Sequence, residues 1–218
     1  MARKSKEEAL ETRSKVLDAA LRVFSIKGVA HSSLADIAKA AGVSRGAIYW
    51  HFANKGELLA ALWDQVVQLY TPLAVAAENP DEPDPLGKMK ALYISFLTNL
   101  VDDPRQQQLF RILFDASDRS KDTEAFRQLH ITTRRQRLQS LLIALHNIKE
   151  KGQLPSTCDV HCGAISVLCF IHGLLANWIL TPDLFDLKKE APVLVEGMIR
   201  MLSAGRLPAG DDEQKFSD

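Results

Sequence analysis

Between Ser33 and Lys55 the chain reads SLADIAKAAGVSRGAIYWHFANK, and its polar residues recur at spacings that suit a nucleic acid. Ser44, Arg45 and Gly46 would open a short helix, with Tyr49 and His51 following on its outer side. An arginine there can grip a base edge through two parallel N–H bonds, so Arg45 is the expected base reader, with Ser44 and Gly46 beside it nearest the groove. Hydroxyl, imidazole and ammonium groups suit phosphates, contacts that hold register without reading sequence. Ser32, Ser33, Tyr49, His51 and Lys55 are expected in that role. Trp50 is evenly balanced between packing on the next helix and touching DNA.

These side chains need two short helices to hold them. Ser33 with Asp36 three residues on fits a capping box, and a helix to Ala41 follows. Gly42 can take the left-handed conformation that ends a helix, Val43 points back into the turn, and Ser44 caps the second helix. Ala38, Gly42 and Ile48 then supply a small contact, a tight turn and a core anchor, which is helix-turn-helix geometry, while Ala47, Ile48 and Phe52 pack inward. The Ala-Gly spacing alone would equally fit a plain helical hairpin. Charge separates the two readings: residues 1–55 hold 10 Lys plus Arg against 5 Asp plus Glu, 10 − 5 = +5, in a chain whose formal net charge is zero. One basic module in a neutral chain points to a polyanionic partner.

The run TRSKVLDAALRVFSIKGVAHSSLADIAKAAGVSRGAIYWHFANKGELLAALW resembles the N-terminal DNA-binding domain of TetR-family transcriptional regulators, and the basic MARK start with RGAIYWHF is similar to the AcrR/TtgR type of multidrug-efflux repressor. GQLP, NWIL and FDLKKEA carry a weaker likeness later in the chain. The resemblance implies an all-α chain of about nine helices. Residues 1–53 would form the DNA-binding domain and 54–205 a ligand-binding and dimerisation domain, with 206–218 a polar, disordered tail. It also implies a cytoplasmic homodimer on palindromic double-stranded operator DNA, released by an apolar or aromatic inducer, with no cofactor and no enzymatic activity.

Composition agrees with a soluble chain: 218 residues, 46% hydrophobic and 25% charged. No apolar run is expected to reach the roughly 20 residues of a membrane span, and the charged start does not read as a signal peptide. Residues 1–5 are expected to be a free basic arm, on DNA or solvated with equal weight, followed by a helix from Lys6 to Lys27 with Leu17, Ala20, Leu21 and Phe24 inward. Asn54 caps a long fourth helix with a stripe of Leu58, Leu59, Leu62, Val66, Leu69 and Leu73. Pro85 opens the fifth; the sixth spans about Arg105 to Ala116, the seventh Glu124 to Lys151, the eighth Asp159 to Leu180, and Pro192 opens the ninth. Ser117 to Thr123 is expected to be a loop.

The resemblance places an inducer pocket among helices five to eight. Val66, Leu92, Tyr93, Phe96, Phe110 and Phe114 would line it from the earlier helices. Leu168, Ile171, His172 and Leu175 would line it from the eighth, with Trp63 and Val67 near it; as bare sequence these are more simply core. His172 sits mid-way along an apolar helix, where an imidazole must find a hydrogen bond or water. The eighth and ninth helices are apolar nearly all round, which needs a second covering surface. Leu174, Trp178, Leu194, Met198 and Met201 are the expected four-helix dimer contacts.

Other signals carry less. Cys158, His161, Cys162 and Cys169 lack metal-ligand spacing, and the three cysteines read as buried small apolar thiols. Arg134, Arg135 and Arg137 point in different directions and read mostly as solvated. The sequence contains no phosphate loop or serine-nucleophile elbow. An all-helical carrier or enzyme is therefore the weaker rival, and a TetR-like regulator of some pathway other than efflux the nearer one.

Overall fold

The computed structural model describes residues 2–115 and 121–204, and the expected tail 206–218 and most of the expected loop 117–123 lie outside them. Among the described residues there are helices and turns and no strand. The helices are α1 (Ala2–Lys27), α2 (Leu34–Ala41), α3 (Arg45–His51), α4 (Lys55–Glu78), α5 (Pro85–Asp102), α6 (Pro104–Asp115), α7 (Lys121–Glu150), α8 (Val160–Leu180) and α9 (Leu187–Ser203). Two compact units share them. Unit 1 gathers the described residues within 1–70, 99–135 and 179–181; unit 2 gathers those within 71–98, 136–178 and from 182 onward.

Unit 1 is organised by local signals. Leu17, Ala20 and Phe24 bury one face of α1, and Gly28 closes that helix with φ 74°. Ser33 and Asp36 form the expected capping box, and Gly42 ends α2 at φ 67°, ψ 29°. Ile48 is wholly buried and Phe52 nearly so, while Leu58, Leu59 and Leu62 seat the first part of α4. Burying a side chain of this size contributes about 1.5–3 kcal/mol. Asn54 Oδ1 accepts from the Glu57 amide at 2.9 Å while Glu57 returns a carboxylate oxygen to the Ala53 amide at 2.8 Å, fixing where α4 begins. Asp18 pairs with Arg105, tying α1 to α6.

Unit 2 takes its core from Met89, Leu92 and Tyr93 of α5, Leu141, Leu145 and Ile148 of α7, Val167 and Trp178 of α8, and Val195 and Met198 of α9. Polar ties sit at element ends. The Asn147 amide donates to the Glu78 carbonyl at 2.8 Å, and Ser140 donates to the Glu78 carboxylate. Gln153 accepts from the Leu86 amide at 3.1 Å, and Lys90 pairs with Glu196 at 2.8 Å.

Several expectations shift. Helix α1 begins at Ala2, so residues 2–5 extend the helix and do not form a free arm. Leu69 stands 54% exposed, and Tyr70 takes the buried position, its hydroxyl donating to Gln106. Helix α9 starts at Leu187, capped by Asp186 accepting from the Lys189 amide at 3.1 Å, which leaves Pro192 inside the helix. Helices α4 and α8 are each long and apolar enough to cross a membrane by length and composition, contrary to the sequence expectation. In this fold both supply core residues to their units. Pro72 lies inside α4, just past the point where that helix passes from unit 1 to unit 2.

Candidate nucleic-acid interface and ligand cavity

Helix α3 is built to present its outer side. Ser44 Oγ accepts from the Ala47 amide at 3.1 Å, and Ile48 is pulled into the core. That anchors one edge of a seven-residue helix and leaves Arg45 and Gly46 exposed, with Tyr49 59% and Trp50 74% accessible. No carboxylate pairs with Arg45 among the described residues. A Cβ at Gly46 would meet only Ser44 Oγ, at 3.9 Å, so this surface is open. Trp50 therefore does not pack on α4; its indole meets the His51 ring edge-on at 4.5 Å between centroids. His51 is half-buried, and burial first and the Arg13 charge second hold its imidazole below the ordinary range. A neutral ring donates a hydrogen bond to a phosphate without adding charge.

Two expected phosphate ligands are redirected. Ser32 is buried and donates to the Val29 carbonyl at 2.9 Å. Lys55 is also buried, its ammonium donating to the Val29 carbonyl at 2.9 Å and the Ala30 carbonyl at 3.5 Å. Both hold the loop 28–32 that leads into α2. Ser33 remains exposed, but its hydroxyl is engaged with Asp36, donating to the carboxylate at 2.7 Å and accepting from the amide at 3.1 Å.

Unit 2 carries a half-open cavity of about 20 Å³, room for one water molecule, lined by Ala74, Ala77, Met89, Leu92, Tyr93, Arg137, Ser140, Leu141 and Ala144. Of the expected pocket residues, Leu92 and Tyr93 line it. Phe96, Ile171 and Leu175 are buried in unit 2 outside that lining, and Leu168 is half-buried. Trp63, Val66, Val67, Phe110 and Phe114 belong to unit 1, where Trp63 meets Phe110 edge-on at 5.9 Å and Phe110 stacks on Phe114 at 6.2 Å. His172 is exposed on α8, so the imidazole does not sit in an apolar interior. Arg137 was missed. Its spacing to Leu141 and Ala144 places it on the inward side of α7, a pattern its charge obscured.

The C-terminal helices also rotate relative to expectation. Trp178 and Met198 face their own core at 6% and 1% exposure, and Leu174 and Leu194 are half-buried. Met201 is 54% exposed as expected, accompanied by Val193 at 68% and Ile165 at 41%. Cys158 is buried, and burial pushes its thiol up; Cys162 and Cys169 are exposed, contrary to the buried-thiol reading. Among the described residues no cluster of His, Cys, Asp and Glu is arranged to hold a metal.

Residues 16–62 match the family described as bacterial regulatory proteins of the tetR family, and residues 84–204 match the C-terminal region of MAATS-type transcriptional repressors. The chain is 40% identical over 202 residues to the HTH-type transcriptional regulator TtgR of Pseudomonas putida, covering 93% of this chain and 96% of TtgR. It belongs to the TetR family. The family likeness extends to the HTH-type transcriptional regulator AcrR of Shigella flexneri, 36% identical over 92% of this chain and 94% of AcrR. NalD, the secondary repressor of the MexAB-OprM multidrug efflux pump in Pseudomonas aeruginosa, superposes with TM-score 0.79 at 27% identity, covering 89% and 96% of the two chains. A SmeT–triclosan complex superposes with TM-score 0.77 at 29% identity, covering 88% and 91%. As a TetR-family chain this protein is a transcriptional regulator, and α2–α3 is its helix-turn-helix.

Proposed function

We propose that this protein represses a multidrug-efflux operon and leaves its operator when an apolar or aromatic small molecule binds. Residues 1–53 would read DNA, 54–205 would bind the inducer and dimerise, and the setting is the cytoplasm. The observation that carries the reading is the exposed edge of α3, where Arg45, Gly46, Tyr49 and Trp50 are all accessible beside a capped helix start. Two such edges in a homodimer must match major grooves about 34–36 Å apart, or a multiple of that, on a palindromic site. Ligand release requires that the inducer favour an arrangement that misses this spacing, since equal affinity for both arrangements shifts nothing. The efflux assignment draws on relatives such as NalD, and the small-molecule assignment on the triclosan complex of SmeT.

Arg45→Ala tests the reading head. Losing a bidentate base contact costs about 1–3 kcal/mol, so specific operator affinity falls roughly ten-fold or more while affinity for random duplex changes little. Fluorescence anisotropy on both duplexes measures this, and unchanged specific affinity would remove Arg45 from the base-reading role.

A further inference from the structure

The unit 2 cavity carries a polar pattern that a purely apolar ligand leaves unused. Six of its nine lining residues are Ala, Met or Leu. Of the three polar ones, Ser140 already donates to the Glu78 carboxylate. The Tyr93 hydroxyl and the Arg137 guanidinium have no hydrogen-bond or ion-pair partner among the described residues. Arg137 is half-buried, unlike its exposed neighbours Arg134 and Arg135. Tyr93 is 5% exposed, and its burial pushes the phenol up to about 12 against the opposing pull of Arg137. The phenol therefore keeps its proton and offers an O–H, while a guanidinium offers only donors. A partly desolvated cation close enough to act on a spare O–H, in a lining that is mostly apolar, is complementary to an acid group joined to a hydrocarbon.

We propose that this cavity takes an apolar organic anion, an aromatic or aliphatic carboxylate or a similar acid. Its acid group sits on Arg137 and the Tyr93 hydroxyl, with its hydrocarbon among Met89, Leu92 and Leu141. This deepens the inducer reading and rests on it. Because the cavity now holds about one water, entry must push its walls apart, and Met89, unbranched and flexible, is the side chain best able to yield.

Isothermal titration of the full chain with 2-naphthoate and with its uncharged twin 2-naphthamide tests the proposal. The acid binds the wild type at least about ten-fold more tightly than the amide, as a charge-assisted hydrogen bond implies. Arg137→Met, which keeps the apolar stem, abolishes that preference while amide binding, the control for an intact cavity, persists. Arg137→Lys restores part of the preference, and Tyr93→Phe weakens the acid several-fold. Equal binding of the two probes, no binding of the acid, or a preference that survives Arg137→Met overturns the proposal. If both probes bind alike and either one releases operator, the anion preference fails and the ligand-released repressor stands. If no apolar compound, charged or neutral, releases operator, the repressor reading itself fails.

Discussion

Lys55 shows how far one side chain can move from its expected role. Its position after RGAIYWHFAN suggested a phosphate contact, yet its ammonium is buried on the Val29 and Ala30 carbonyls. Lys55→Met therefore lowers stability by about 1–3 kcal/mol, the range for a charged hydrogen bond lost to a buried group, measured as a shift in urea midpoint. The salt dependence of operator binding stays near wild type, because no phosphate contact is removed. Sequence could not show this: the acceptors lie 25 and 26 residues away and are backbone carbonyls, which leave no mark in residue identity. Arg137 escaped for the opposite reason, since its own charge hid an inward position that its spacing to Leu141 and Ala144 disclosed.

At the scale of elements, signals carried within a few residues were legible. Ser33, Asp36, Gly42 and Ser44 specify α2, the turn and the start of α3 through contacts no more than four residues apart, and all four act as expected. Asp36 also accepts from Lys27 at 2.8 Å. The Lys27 hydrogen bond first, then the Ser33 hydroxyl and amide, hold its carboxyl at about 2 against the ordinary 3.8. A depressed carboxyl stabilises the fold above about pH 4 and loses that contribution as pH falls towards 2. Asp36→Asn accordingly flattens the acid limb of stability between pH 4 and 2, seen by urea unfolding across that range; an unchanged limb would mean the capping box contributes nothing there. Elements without a polar face were harder to phase. In α8 and α9 every turn carries apolar residues, so Trp178 and Met198 were as eligible for a partner surface as Val193, and only packing decides. Pro192 reads in sequence as the start of α9, but it stands at the sixth position of that helix and the cap is Asp186.

For the whole molecule, the revised outer faces of α8 and α9 change which substitutions test assembly. Val193 and Met201, four-residue multiples apart on α9, are exposed, while Trp178 and Met198 are core. The double change Val193→Asp with Met201→Asp yields a monomer by sedimentation, keeps its helical circular dichroism, and binds operator at least about ten-fold more weakly, since the second half-site contact is lost. Met198→Ala instead lowers stability by about 2–5 kcal/mol, as expected for a buried methionine cut back to a methyl. A dimer that survived the double aspartate would move the subunit contact elsewhere.

Helix α4 belongs to both units, and Pro72 sits inside it one residue past the start of the second. Proline has no N–H, so the Gln68 carbonyl loses its helical donor and the helix is softest at that level. That weak link lets the Glu78 end of α4, pinned by Asn147, fray or hold on its own account. The proline is then a built-in fuse within α4, and heat should open the helix at that level before it opens the buried core residues of either stretch.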